Sequence, residues 1–189
     1  LNKNIVNAQF MKGKEVSDFL FSILEDSAAE KILRLMHETN ILEQVLPEFG
    51  LAHCKVNHDF YHHYTADEHS LRVIRFLDEL AANSITNPTD LHALYQDYLR
   101  KGILKLSALL QSVRTAPTDE PGEFLKCLLE RLSLEDEDVQ VLLFLLANPY
   151  TMIETALHQD IHQPGVIRKF AQTVVNPERL KGLYLLSYA

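Results

Sequence analysis

The chain has 189 residues, 47% hydrophobic and 23% charged, enough for one domain with a real core. Its net charge of −8 argues against a general nucleic-acid binder, because neutralising phosphates takes clustered Lys and Arg. No apolar run approaches the ~20 residues of a membrane span, and Cys54 and Cys127 share no disulfide or metal spacing, so a cytoplasmic protein without membrane attachment is expected.

In chain order, residues 1–17 read as a peripheral lead-in. Leu20, Ile23 and Leu24 stand at i, i+3, i+4, and Ile32, Leu35 and Met36 repeat the pattern after Ser27, a predicted N-cap, with Asn40 as the stop. Pro47 to Phe60 has no sustained period and reads as a long loop carrying histidines. Thr65-Ala-Asp-Glu68 has the capping-box pattern and opens a helix with Leu71, Ile74 and Leu77 inward. After a turn at Asn83–Pro88, two helical segments meet near Gly102, the second burying Ile103, Leu106, Leu109 and Leu110. Arg72 and Arg75, and Arg100, Lys101 and Lys105, are expected on solvated faces. Val113 to Gly122 is predicted to be a surface loop, and further helices run near 123–132, 135–147, 150–157, 164–175 and from Pro177 onward. Pro164 and Pro177 suit first turns, and Ser133-Leu-Glu-Asp136 resembles another capping box. One all-α domain over 1–189 is the expected architecture. The absent initiator Met, with an apolar helical run reaching Ala189, reads as a piece of a longer protein.

Chemistry concentrates between His58 and His69, which hold four of the nine histidines: His58, His62, His63 and His69, interleaved with Asp59, Asp67 and Glu68. Divalent metals take neutral imidazoles and carboxylates, so this stretch is the candidate metal segment. His37, His92, His158 and His162 are isolated histidines for which no special role is expected.

The segment Val56-Asn-His-Asp-Phe-Tyr-His-His-Tyr-Thr-Ala-Asp-Glu-His-Ser-Leu-Arg-Val73 resembles the HD-domain entry of bacterial protein-PII uridylyltransferase/uridylyl-removing enzymes. The likeness extends through Ile41–Phe49, ending in Leu-Pro-Glu-Phe, through His158–Ala171, and through Arg179–Leu186. The resemblance implies an HD-domain-like helical bundle. In that superfamily a His, a His-Asp dyad and a later Asp bind divalent metal and hydrolyse phosphoesters, and in this family the domain is associated with removing uridylyl groups from PII.

Carried over by position, His69 matches the first metal histidine and His62 a nearby family histidine. The dyad positions hold Gln111 and Ser112 within Ala108-Leu-Leu-Gln-Ser-Val-Arg-Thr115, and Asn148-Pro149 replaces a His pair ahead of Met152. An amide and a hydroxyl are neutral, weak ligands for a catalytic divalent ion. Three functions follow. The first is a catalytically degenerate HD-like domain of a uridylyltransferase-like signalling protein. It would have no catalytic residue and no cofactor, and would regulate or scaffold neighbouring domains of its parent and a PII-like partner. The second is a divalent-metal phosphohydrolase with a shifted cluster at His58, His62 and His69. The third is a plain helical interaction module, with Glu135–Asp138 facing a partner. The default pocket is a cleft between the His69 and Gln111 helices, with the Gln111 amide expected to be buried and satisfied by backbone.

Overall fold

Apolar residues repeating at helical spacing leave water together only when their helices pack stripe to stripe. The computed structural model describes residues 13–50, 65–84, 90–114 and 121–189, and among these it forms twelve helices and no strand. They are α1 (Gly13–Leu24), α2 (Ala29–Glu38), α3 (Leu42–Val45), α4 (Pro47–Gly50), α5 (Ala66–Ala81) and α6 (Leu91–Asp97). Then follow α7 (Lys101–Arg114), α8 (Pro121–Leu132), α9 (Asp136–Ala147), α10 (Thr151–His158), α11 (Pro164–Val174) and α12 (Pro177–Tyr188). The architecture is the all-α, HD-domain-like bundle that the sequence implies.

Helix α7 is the axis of the fold. Every residue from Gly102 to Leu110 is buried, because α1, α4, α5, α9 and α12 all pack around it. Leu20, Ile23 and Leu24 of α1 and Leu71, Ile74 and Leu77 of α5 turn inward as predicted, and Ile103, Leu106, Leu109 and Leu110 are buried with them. Helix α12 approaches closely enough that a Cβ at Gly182 would meet Tyr98 Oη at 2.8 Å and Leu145 Cδ2 at 3.1 Å. Among the described residues, no single helix is long and apolar enough to cross a membrane.

Several local expectations give way to tertiary contacts. Lys105, read as solvated, is 1% exposed: its Nζ donates to Asp78 Oδ1 at 2.6 Å and to the Asp26 carbonyl at 3.0 Å. Asp78 Oδ2 accepts the Glu30 amide at 2.8 Å, so a carboxylate from α5 replaces the predicted Ser27 cap of α2. A buried charge persists only when paired and hydrogen-bonded, and this pair meets both conditions. Burial nevertheless raises the Asp78 carboxyl above its ordinary pKa, against the Glu30 amide and Lys105.

Thr65 takes the N-cap position of α5 without a side-chain cap bond, and Glu68 turns to Arg34 and Arg72 instead. A charged guanidinium is a stronger partner than a backbone amide. The box expected at Ser133 is also absent: Glu135 is the N-cap of α9 and makes no cap bond. Leu35 is 61% exposed, and Leu33 occupies the core in its place. The predicted loop from Pro47 begins as α4, with 51–60 outside the described residues. The loop predicted from Val113 begins later, because α7 continues to Arg114 and α8 starts at Pro121.

Candidate functional site

Helix directions decide which sequence-predicted residues can meet. Ser70 Oγ donates to the Ala108 carbonyl at 2.8 Å, while further along α5 Asp78 meets Lys105, so α5 and α7 run in opposite directions. The first turn of α5, with His69, therefore lies beside the last turns of α7, with Gln111 and Ser112. Arg100, just before α7, pairs with Glu137 and Asp138 in the first turn of α9 (2.8 Å to Asp138 Oδ1). The starts of α7 and α9 are thus pinned together, and the two pack along each other. Their C-terminal ends place Gln111 and Asn148 at the same end of the bundle as His69. The Arg100 bridge also occupies two of the four acids that the interaction-module reading would present to a partner.

The candidate residues that α7 and α9 bring to that end, Gln111 and Asn148, are neutral amides. Gln111 is half-buried, and among the described residues its amide makes no hydrogen bond, so the expected backbone satisfaction is not found there. Asn148 is engaged locally: its Nδ2 donates to the Phe144 carbonyl at 2.9 Å and its Oδ1 accepts the Thr151 hydroxyl at 3.2 Å. Its amide nitrogen thereby closes the C-terminus of α9, and its amide oxygen ties the first residue of α10 to that end. His69 is half-buried, with its backbone amide bonded to the Thr65 carbonyl at 2.9 Å. His58, His62, His63 and Asp59 lie outside the described residues, as does the Ser112 side chain. Among the described residues, no group of three or more His, Cys, Asp or Glu side chains is arranged to hold a metal ion. A divalent ion wants anionic oxygen or imidazole donors from several elements, and the two amides that can be seen supply neither. Among the described residues, these donors do not make up the set that the HD resemblance implies.

Charge instead gathers between α2 and the first turn of α5. His37 Nδ1 contacts the Glu43 carboxylate and its Nε2 lies 3.3 Å from Asp67 Oδ2, while its ring meets Phe49 edge-on at 5.3 Å. Arg34 donates to Glu30 at 2.5 Å and to Glu68 at 2.8 Å. Hydrogen bonding from Arg34, joined by Arg72 and against the effect of burial, holds the Glu68 carboxyl below its ordinary pKa. Glu68 in turn raises the Arg34 guanidinium. A cavity of about 620 Å3 opens beside this network, its walls including Arg34, Glu68, Arg75 and Asp78.

The sequence reading assigned His37 no role, yet it is the histidine most closely flanked by carboxylates among those described. A signal was available: His37 and Glu43 lie on either side of the Asn40 stop, whose left-handed φ of 56° turns the chain back on itself. Nothing local could announce Asp67, which arrives from another helix.

No family model matches the chain. Among curated proteins, the bifunctional uridylyltransferase/uridylyl-removing enzyme of Bradyrhizobium sp. strain BTAi1 is 30% identical over 196 residues, covering 98% of this chain and 21% of that enzyme. The enzyme of the same description from Chromobacterium violaceum is 32% identical over 176 residues, 90% of this chain and 21% of the enzyme. That of Zymomonas mobilis is 29% identical over 193 residues, 100% of this chain and 20% of the enzyme. The chain spans about a fifth of the length of the curated relatives it matches. Along nearly its whole length, this chain resembles one segment of the bifunctional uridylyltransferase/uridylyl-removing enzymes.

Proposed function

We propose that the chain is a catalytically degenerate HD-like domain of a longer, cytoplasmic uridylyltransferase-like signalling protein. It keeps the helical frame of a phosphohydrolase while acting as a regulatory or scaffolding unit. Its partners in this reading are neighbouring domains of the same polypeptide and a PII-like regulator. One observation carries the proposal: where α5 and α7 meet beside His69, α7 offers the uncharged amide of Gln111, which has no hydrogen-bond partner among the described residues. A metal that polarises a phosphoryl oxygen and acidifies water needs anionic ligands to hold it and fix its geometry. No hydrolytic step is therefore assigned to this end of the bundle. The relatives' names describe both adding and removing uridylyl groups. For this chain we assign neither reaction.

The test is hydrolysis of bis(p-nitrophenyl) phosphate with Mn2+, by the chain and by the double variant Gln111→His/Ser112→Asp. The chain itself should show no turnover above background. Turnover abolished by His69→Ala would refute the proposal, whereas turnover in the double variant alone would support it by restoring the missing donors.

A further inference from the structure

The C-terminal layer is built differently from the rest of the fold. Helix α10 has no buried residue, and α11 has one, Val174, helped by the partly buried Phe170. The chain passes from α11 into α12 through Val175, at φ 69° and ψ −48°, and the Asn176 amide donates across it to the Val174 carbonyl at 2.8 Å. That is a three-residue γ-turn of the rare, strained hand. A β-branched residue with positive φ is a real outlier. Val175 is also 70% exposed, so no packing of its own side chain offsets the strain.

Between α10 and α11 lies a cleft of about 250 Å3 that reaches Asn148 and is lined by Glu154 on one helix and by Lys169 and Phe170 on the other. Among the described residues, Glu154 and Lys169 form no ion pair with each other or with any other group. An acid and a base thus face one cleft unpaired, on the two least anchored helices, beside a strained connection. Strain of this kind persists only where the surroundings impose it, and it marks places where a second conformation lies near.

We propose that α11 is a hinged flap that rolls about Val175 and closes on α10, joining Lys169 to Glu154 across the cleft. Phe170 and Val174 hold the inner edge while the outer edge moves. Closure takes Val175 out of the left-handed region and gives both charges a partner, while the open form leaves the cleft accessible. The motion does not depend on whether the bundle hydrolyses anything.

The test is disulfide trapping in the full chain carrying Glu154→Cys/Lys169→Cys, with Cys54→Ser and Cys127→Ser to remove competing thiols. Under mild oxidation the pair should bridge at least tenfold faster than an outward-facing control, Leu157→Cys/Arg168→Cys. Adding Val175→Gly, which makes the open turn strain-free, should slow bridging about threefold. No bridging, or a rate unchanged by Val175→Gly, would overturn the proposal. If circular dichroism shows the cysteine variants unfolded, hydrogen exchange on the unmodified chain decides. High salt weakens exposed ion pairs, so 1 M NaCl should speed exchange in 164–174 and leave 136–147 unchanged. Equal salt response in both segments would overturn the flap.

Discussion

The two ends of the α5–α7 pair are built to opposite rules. At one end a lysine and an aspartate are buried together, with a backbone carbonyl and a helix amide completing their bonds. At the other, a neutral amide is half-buried beside His69 with no hydrogen-bond partner among the described residues. One turn and a half of α7 separates Lys105 from Gln111. The contrast teaches that the frame and the chemistry of such a fold are energetically separable. The ion pair, Ser70 and the apolar residues of α7 hold the helices whatever the site end contains.

Lys105→Met should break this contrast most severely. It strands Asp78 in the core and should lower unfolding free energy by about 3–5 kcal/mol in urea titrations. The double variant Asp78→Asn/Lys105→Met should recover most of that loss, and failure to recover would mean the pair is not the source of the cost. Ser70→Ala removes the bond to the Ala108 carbonyl and should cost about 1 kcal/mol by the same measurement.

Glu68→Gln is a smaller, pH-dependent test. Because the folded pKa of Glu68 is depressed by Arg34, its contribution is present above the ordinary carboxylate range and is lost as pH falls through the folded value. The variant should therefore lose about 0.5 kcal/mol at neutral pH, a difference that vanishes in acid. Asp78 has the opposite sign: its raised pKa means ionisation costs the fold, so its contribution declines as pH rises through that range. Smallest of all, Gln111→Leu should change stability by less than about 0.5 kcal/mol in either direction, since no hydrogen bond is lost. A large destabilisation would show that the amide is structural after all.

Much of the frame was legible because periodicity reports burial directly. The inward faces of α1, α5 and α7 and the prolines opening α11 and α12 were all readable from spacing. What failed was local charge chemistry. Lys105 sits in a run that looks solvated, and only the arrival of Asp78 from another helix makes its burial tolerable. Thr65 and Glu68 spell a capping box, but Arg34 claims Glu68 from a distance in sequence that no local rule sees. The neutral side chains of Gln111 and Asn148 were visible as letters. That Asn148 would cap its own helix is local chemistry, through Phe144 and Thr151, whereas the lack of a hydrogen bond at the Gln111 amide among the described residues depended on tertiary structure. His58 and His62, central to the shifted-cluster reading, lie outside the described residues.

The most direct test of the proposed degenerate site is metal content by inductively coupled plasma mass spectrometry, after incubating the folded chain with Mn, Zn and Fe and desalting. Substoichiometric metal, unaltered by His69→Ala, is the predicted result. One or two retained equivalents that disappear in His69→Ala would contradict the account and place a working metal centre at this end of the bundle.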